Sequence, residues 1–293
     1  FSSASQNYPE LRSTAWARLP DKVHDDHASE FPWRRDELAA EMCIDWWERR
    51  AAEGDERPFF SFILLDAPHQ KYSHPPDQAP FQPSLPDLNY LTMSATVEGP
   101  DPAERQAIKN RYQNAVLHAD AVAGDLLDAL ERLDLADDTV VVLWSDHGFS
   151  LGESAFWGKH TTRHDALHVP LVVRAPGSPQ VASTDELVEL VDLYPTLCEL
   201  VGVEAPAHLE GASRAALLTD PEARGADAVP VRWHGCRAVV TERHLYTRWG
   251  SAAEPKARTL FDLVADPHER FDLSGDVTTA PLVVELDGLL EAD

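Results

Sequence analysis

The sequence predicts an α/β fold with a mixed, largely parallel central sheet flanked by helices, followed by a small antiparallel subdomain. Short, continuous apolar runs that suit strands buried on both faces alternate with long segments of helical periodicity. From about residue 225 the pattern changes to short strand-like pieces separated by turns, with a last helix predicted near 281–291. The chain is therefore expected to comprise an α/β domain, 1–224, and a C-terminal subdomain, 225–293.

The first part of the chain predicts two helices, one strand and one long loop. Apolar residues recur every three or four positions over 37–52 and 104–134, which is typical of helices that bury one face. The apolar run at 58–66 predicts a strand buried on both faces. Residues 67–103, rich in proline, aspartate and serine, predict a loop, and long loops in compact domains are usually functional or mobile.

The middle of the chain predicts three further strands and one short helix. The apolar segments 139–146, 168–177 and 187–191 each have the length and composition of a buried strand. Asp192 follows the last of them and is a typical N-cap residue for a helix over 193–201. This alternation of strands and helices supports a layered α/β domain.

Composition excludes one class of partner. The chain has 50 acidic and 25 basic residues, a net charge of −25, so nucleic-acid binding, which needs a basic surface, is not expected. Only five of the 25 basic residues are lysine. Two interpretations of this acidic protein stay open: a surface adapted to a salt-rich cytoplasm, or an acidic protein from a GC-rich genome.

The chain start and the cysteines give little evidence on localisation. No run of about 18 apolar residues predicts a transmembrane helix. Three cysteines without CxxC spacing do not suggest a disulfide framework or a zinc site. The chain begins at Phe1 without a signal pattern, and we interpret this as a cut edge. An upstream signal or anchor, and a cytoplasmic or periplasmic location, therefore stay open.

Asp146 and His147 form the first candidate site. They follow a predicted strand directly, and ligands bind at the carboxyl ends of strands in open α/β sheets. Gly148 eases the turn there, so that a neighbouring carboxylate and imidazole can face one divalent cation, such as Mg, Mn, Zn or Ca. The alternative is that Asp146 caps the turn and His147 is an ordinary loop residue.

Lys159 and His160 form a second candidate, in a loop flanked by glycine and tryptophan. The lysine offers a compact charge with three donors for a tetrahedral anion, and the histidine could donate a proton to a departing oxygen. Arg163 and His164 add positive potential nearby, which matters because a net charge of −25 repels anions. The alternative is a solvated loop.

His69 is the third candidate. It follows the predicted strand 58–66 and could reach the same sheet edge as Asp146 if the two strands lie close together. A histidine after proline is otherwise an ordinary loop residue.

Six pieces of sequence carry a resemblance when they are taken in order. They are PFFSFILLDAPHQKY at 58–72, the helix 111–133, SDHG, LGE and WGK within 145–159, VPL at 169–171, DLYPTL at 192–197 and LFDLVADPHE at 260–269. Together they resemble the sulfatase family of the alkaline phosphatase superfamily. The loop at 66–91 is also similar to an inner-membrane branch of that superfamily, which lacks a counterpart of Lys159.

The resemblance implies an alkaline-phosphatase-like fold and a role for each candidate residue. Asp146 and His147 would be metal ligands for one divalent cation, most often calcium in this family, with magnesium or manganese as alternatives. Lys159 would bind the sulfate as a catalytic and substrate-binding residue. His69 would contact the sulfate or help the leaving group depart, and His160 would be a substrate contact.

The sequence departs from the family pattern at the nucleophile. Family sulfatases carry a paired Asp-Asp near the chain start and a Cys/Ser-x-Pro-x-Arg segment whose Cys or Ser becomes formylglycine, and the second of these elements does not occur here. We therefore expect a sulfuric-ester hydrolase segment that is inactive by itself. The alternatives are a phosphatase or phosphodiesterase on the same scaffold, and a non-catalytic module that binds an anionic lipid or glycan.

Overall fold

A computed structural model describes most of the chain. The described residues are 1–4, 16–25, 29–69, 71–85, 102–153, 156–178 and 183–291. The chain divides into two compact units, Phe1–Asp137 and Asp138–Asp293. The boundary predicted at residues 224 and 225 stays a prediction. Among the described residues, no helix is long and apolar enough to cross a membrane.

Two long helices form the first unit. Helix α1 spans Pro32–Ala52 and α2 spans Pro102–Arg132, which confirms both predicted helices. Proline lies in the first turn of α1, where its missing N–H costs no hydrogen bond. The two helices pack against each other, and Arg132 Nη1 forms an ion pair with Glu48 Oε1 at 2.7 Å. The apolar stripes that predicted these helices supply their buried faces.

The predicted buried strand at 58–66 is wrong. The segment is extended, but its one bridge is a parallel pairing of Leu64 with Ser2, and Phe60 is 74% exposed. Phe1 and Ser3 add backbone hydrogen bonds to the segment. Pairing ends there because, among the described residues, no strand flanks the rest of the segment. Of the predicted loop 67–103, residues 71–85 lie in turns and coil, while 70 and 86–101 lie outside the described residues.

Asp36 on α1 anchors the turn that follows this extended segment. Its carboxylate is fully buried and accepts backbone hydrogen bonds from Asp66 at 2.8 Å and from Ala67 at 2.9 Å. Burial raises the pKa of Asp36 to about 6, although the hydrogen bonds and Ser3 partly offset this effect. The turn that carries His69 is therefore held by a carboxyl group whose charge depends on pH.

The raised pKa of Asp36 predicts that stability falls as pH rises. The folded state holds the proton more tightly than the unfolded state, so the contribution is complete below pH 3.8 and is lost as pH rises through about 6. Wild-type protein is expected to lose roughly 2 kcal/mol of unfolding free energy relative to Asp36→Asn between pH 4 and 7. Urea unfolding of both proteins across this range measures it. A difference between them that stays constant with pH would contradict the prediction.

Two strands begin the second unit. Strand β1, Val141–Trp144, pairs with β4, Leu171–Arg174, in an antiparallel ladder from Val141↔Arg174 to Trp144↔Leu171. The predicted strands at 139–146 and 168–177 are thus confirmed in position. Full burial of β1 is wrong, because Leu143 and Trp144 are exposed where no described strand covers them. Among the described residues, the strands pair in antiparallel ladders, and the parallel pairing is the single bridge between Ser2 and Leu64 in the first unit.

The predicted strand at 187–191 is also wrong. Leu187 forms one isolated antiparallel bridge with Ala226, and a short 3-10 helix, Leu190–Asp192, follows. Its apolar residues satisfied the strand pattern, but such short runs do not distinguish a strand from a helical turn.

Asp192 has a different role from the predicted one. A short helix, α3, spans His164–Leu167. Helix α4, Leu193–Leu200, confirms the predicted helix, and Asp192 lies at its N-cap, yet the Asp192 side chain makes no capping bond to α4. The buried carboxylate instead accepts hydrogen bonds from the backbone N–H of Ala212 and from Arg214 Nε, both at 2.8 Å. It also accepts the backbone N–H of Glu189 at 3.3 Å. Asp192 therefore joins three segments of the second unit.

The C-terminal part of the second unit is an antiparallel sheet followed by a helix, as predicted, and the structure shows that the helix packs on one face of the sheet. Strands β5, Ala228–Trp233, β6, Cys236–Thr241, β7, His244–Gly250, and β8, Pro255–Asp262, pair in chain order. Helix α5, Ala280–Leu289, confirms the predicted last helix. One face of the sheet and α5 share a core of Val239, Tyr246, Leu260, Val283, Leu286 and Leu290.

Candidate functional site

The turn after β1 places Asp146 and His147. The backbone N–H of His147 donates to Asp146 Oδ1 at 2.9 Å, and Gly148 N donates to the carbonyl of Ala166 at 2.8 Å. A Cβ on Gly148 would lie 2.2 Å from the carbonyl oxygen of Asp165. Only glycine allows this close approach of two backbone segments, so the turn needs the residue that the sequence supplies.

A very short hairpin positions Lys159. Strand β2, Ser150–Leu151, pairs with β3, Trp157–Gly158. This pairing brings the chain back toward the turn that carries Asp146 and His147. Gly152 lies at φ +91°, and the ring of Trp157 packs where a Cβ would be. The hairpin brings Lys159 Nζ to 2.9 Å from His147 Nε2. Lys159 and His147, twelve residues apart, are therefore in direct contact.

Hydrogen bonding defines the state of the His147 ring. Nδ1 lies 2.9 Å from the carbonyl oxygen of Gly148, which can only accept, so Nδ1 carries the proton. Nε2 then presents its lone pair to the ammonium group of Lys159. A neutral imidazole whose other nitrogen donates to a carbonyl is also the usual arrangement of a metal-binding histidine.

Asp146 completes the group at the strand end. Its side chain is 82% exposed, and Oδ2 lies 3.5 Å from His147 Nε2. A carboxylate oxygen and an imidazole lone pair thus point to one place, and this donor set fits a divalent cation. Within the described ranges, no cluster of three or more His, Cys, Asp or Glu side chains with metal-binding geometry is found. These two residues therefore fit a cation as a partial ligand set.

Arg163 and His164 do not add the positive potential that was predicted. Arg163 Nη2 donates to the backbone carbonyl of Glu269 at 2.5 Å, Nε lies 3.4 Å from Glu269 Oε2, and the guanidinium lies 5.1 Å from the Phe261 ring centre. Burial, with a smaller contribution from His168, lowers the pKa of His164, so it is neutral near pH 7. Lys159 is thus the predicted cation that reaches the strand end.

Glu269 is a residue of the site's framework that sequence reasoning did not identify. It is buried, and Oε1 accepts the backbone N–H of His164 at 2.6 Å. Burial raises the pKa of Glu269, while the His164 bond and Arg163 oppose this shift. The Asp-Pro-His-Glu segment that contains Glu269 is one of the pieces that resemble the sulfatase family. The neighbouring sequence, however, gave no sign that Glu269 would bind the backbone of His164, 105 residues away.

His160 and His69 have separate surroundings. His160 is exposed, and its ring stacks on Trp233 with 5.3 Å between centres. His69 lies in the first unit, half-exposed, with Nδ1 3.6 Å from Asp66 Oδ1. Arg35 Nη2 lies 3.4 Å from the other oxygen of the same carboxylate. The substrate roles predicted for both histidines stay predictions.

The fold and the site define a class of protein: an α/β protein with an ammonium group beside metal-type ligands at a strand end. Residues 4–203 match the family model described as Sulfatase, and residues 152–292 match that described as N-sulphoglucosamine sulphohydrolase, C-terminal. Because the first match covers more than half of the chain, the protein belongs to the sulfatase family.

Known relatives agree with this assignment. A sulfatase of Formosa agariphila is 28% identical over 280 residues, covering 88% of this chain and 52% of the relative. Arylsulfatase K of Xenopus laevis is 27% identical over 285 residues, covering 80% of this chain and 53% of the relative. The chain thus spans about half the length of the curated relatives it matches.

Solved structures confirm the alkaline-phosphatase-like fold. One of them, a complex with its substrate D-glucosamine-2-N,6-O-disulfate, has a TM-score of 0.69 and 20% sequence identity. The match covers 88% of this chain and 68% of that one. At this identity, the likeness is one of fold.

Proposed function

We propose that this chain serves a metal-dependent sulfuric-ester hydrolase, in which Lys159 holds the sulfate group. The observation that carries the proposal is the 2.9 Å contact between Lys159 Nζ and His147 Nε2, beside the exposed carboxylate of Asp146. This arrangement gathers one ammonium group and two metal-type ligands at the end of a strand. Membership of the sulfatase family supports sulfate over other tetrahedral anions.

Asp146 and His147 would hold a divalent cation, for which calcium is our first choice and magnesium or manganese are alternatives. When bound, such a cation polarises the ester oxygens and stabilises negative charge on the transferred group. With a cation on His147 Nε2, the ammonium group of Lys159 would no longer bond to that nitrogen and would be able to donate its N–H groups to sulfate oxygens. Because the carbonyl oxygen of Gly148 accepts a hydrogen bond from His147 Nδ1, Nε2 is the nitrogen whose lone pair could bind the cation.

The nucleophile is not among the residues of this chain. No Cys/Ser-x-Pro-x-Arg segment occurs, and Cys43, Cys198 and Cys236 are all buried. Burial raises the pKa of the Cys43 thiol to about 12 and also raises that of Cys236, so neither becomes a thiolate near neutral pH. We therefore propose that residues 1–293 alone bind the ester without hydrolysing it.

His69 and His160 are proposed to contact the substrate. Asp66 Oδ1 lies 3.6 Å from His69 Nδ1, and the imidazole is a group that could donate a proton to the leaving oxygen. His160 follows Lys159 directly and is exposed. We propose a sulfated sugar as the substrate class. The likeness in fold to a structure solved with D-glucosamine-2-N,6-O-disulfate supports this choice.

Hydrolysis of 4-nitrophenyl sulfate and 4-nitrophenyl phosphate tests the proposal. The natural polypeptide that contains residues 1–293 is expected to release sulfate, to lose activity with EDTA and to regain it with calcium. The 293-residue chain is expected to bind inorganic sulfate without turnover. Faster hydrolysis of the phosphate ester would favour the phosphatase alternative. Tight anion binding without turnover by the natural polypeptide would favour the non-catalytic module.

A further inference from the structure

A short segment of the second unit, 161–167, contacts both the C-terminal sheet and the turn of the candidate site. It includes α3, and its hydrogen bonds join it to residues near 148 on one side and near 269 on the other. The proposed chemistry uses none of its residues. The segment therefore connects two parts of the unit that are far apart in the sequence.

Glu269 holds the start of this segment. It is 5% exposed, and Oε1 accepts the backbone N–H of His164 at 2.6 Å. Its backbone carbonyl oxygen accepts a bond from Arg163 Nη2 at 2.5 Å. Because His164 is the first residue of α3 and Arg163 is its N-cap, these two bonds fix the point at which the helix begins.

The backbone of Glu269 has a conformation that side chains rarely adopt. Its φ is +51°, in the left-handed region, where residues other than glycine are uncommon. Such a conformation costs free energy and persists only where the surrounding contacts require it. Burial, charge and backbone strain at one residue indicate a role for Glu269 in addition to packing.

Two further contacts hold the segment on the sheet. Thr162 Oγ1 lies 2.9 Å from Thr247 Oγ1 of β7, and both side chains are buried. Leu167 packs against the apolar cluster that contains Leu245 and Phe261. Leu245 and Thr247 are two residues apart on one strand and so face the same side of the sheet. The segment is thus held at both of its ends on one face of the sheet.

The other side of the segment supports the turn and the hairpin of the candidate site. The carbonyl oxygen of Ala166 accepts the N–H of Gly148 at 2.8 Å, and Gly148 directly follows His147. Asp165 Oδ1 accepts a bond from Ser150 Oγ at 2.7 Å, and Ser150 is the first residue of β2. The segment thus supports the residue after a proposed metal ligand and the first strand of the hairpin.

We propose that Glu269 is a positioning residue, which sets the contact between Lys159 and His147 through the segment 161–167. Glu269 fixes the start of α3, and α3 in turn fixes the turn and the hairpin that carry these two groups. The effect on the reaction rests on the proposed function. A displacement of about 1 Å at reacting groups can cost about 100-fold in rate, so the C-terminal sheet contributes to catalysis without touching the ester.

Hydrogen exchange, followed by mass spectrometry, tests the positioning without any turnover in the natural polypeptide that contains residues 1–293. Glu269→Ala removes the acceptor of the His164 N–H. Exchange in peptides covering 146–152 is therefore expected to rise about tenfold relative to peptides covering 238–246 of the sheet. Glu269→Gln keeps an acceptor oxygen and a similar shape, so its ratio should stay within about threefold of wild type.

Hydrolysis of 4-nitrophenyl sulfate by the same proteins tests the effect on the reaction. Glu269→Ala is expected to lower kcat/KM by about 10- to 100-fold, the usual cost of losing a partner that orients a ligating group. KM is expected to rise as well, because a displaced Lys159 would hold the sulfate less tightly. A merely structural loss would reduce the active fraction, which lowers kcat and leaves KM unchanged. Glu269→Gln should restore most of the activity.

The matched control is Asp287→Asn, which weakens a different ion pair of the same sheet. The Asp287 carboxylate accepts bonds from Tyr246 Oη at 2.9 Å and from Arg248 Nη1 at 2.8 Å. These two partners alternate with Thr247 along β7 and so lie on the opposite face of the sheet from the segment. This variant is expected to lower stability and to leave both the exchange ratio and KM at their wild-type values.

Thr247→Val decides the question if Glu269→Ala does not fold. It removes the hydroxyl that meets Thr162 and is expected to raise the exchange ratio and KM by about threefold each. An unchanged exchange ratio or KM in a folded Glu269→Ala protein, or in Thr247→Val if that protein is the one that folds, would overturn the assignment. Equal losses in Glu269→Gln, or an equal rise of KM in Asp287→Asn, would overturn it too. If exchange changes as expected but the wild-type polypeptide hydrolyses no sulfate ester, the proposed function fails and the positioning by Glu269 stands.

Discussion

Lys159→Ala is expected to lower kcat/KM for a sulfate ester by about 100- to 1,000-fold in the natural polypeptide, as loss of one aligned charge-stabilising donor does in other enzymes. The ammonium of Lys159 lies at the strand end and is the candidate cation that contacts His147, at 2.9 Å. The remaining groups there, a carboxylate and a neutral imidazole, cannot bind an anion without a metal.

Two comparison variants sharpen this prediction. Lys159→Arg keeps the charge but replaces a compact ammonium with a planar fork, so partial activity is expected. Lys22→Ala removes an exposed lysine from the first unit and should leave kcat/KM unchanged. Thermal unfolding of each variant shows whether the fold is intact. A loss below about threefold in a folded Lys159→Ala protein would exclude the proposed role.

Asp192→Ala is expected to lower the unfolding free energy by about 3–5 kcal/mol, the usual result of removing one partner from a buried ion pair. The Asp192 carboxylate accepts bonds from Arg214 Nε and from the backbone N–H of Ala212, both at 2.8 Å. Its loss leaves a largely buried guanidinium group and a backbone donor without their acceptor. Urea unfolding at pH 7 measures the change.

Asp192→Asn separates charge from shape. The amide keeps one acceptor oxygen for Ala212 but loses the ionic partner of Arg214, so an intermediate loss is expected. Asp185→Ala, at an exposed aspartate, is expected to change stability by less than about 0.5 kcal/mol. If Asp192→Ala were no more destabilising than Asp185→Ala, the hydrogen bonds that the Asp192 carboxylate accepts from Glu189, Ala212 and Arg214 would not contribute to stability.

The sequence predicted the helices of this protein better than its strands. Long periodic segments located α1 and α2, because many turns of one helix repeat the same apolar stripe. The apolar runs at 58–66 and 187–191 predicted strands that are absent, because a short run has no period that excludes other conformations. Whether such a run becomes a strand depends on a neighbouring strand elsewhere in the chain.

Residue types at the candidate site were predictable, but their contacts were not. Asp146 and His147 follow β1, as the apolar run at 139–146 implied. The contact of Lys159 with His147 depends on a hairpin of only two residue pairs, which is too short to leave a sequence pattern. Arg163 was expected to add positive potential near the site, but it is engaged by Glu269, 106 residues later.

The sequence by itself determined the α/β class, the two long helices, the C-terminal antiparallel sheet and the sulfatase-type motifs, because each of these depends on neighbours close in the chain. Only the tertiary structure decided which of the basic residues near the site are engaged inside the protein. Burial lowers the pKa of His164, and Glu269 forms an ion pair with Arg163. Burial and ion pairing join residues distant in sequence, so no local pattern records them.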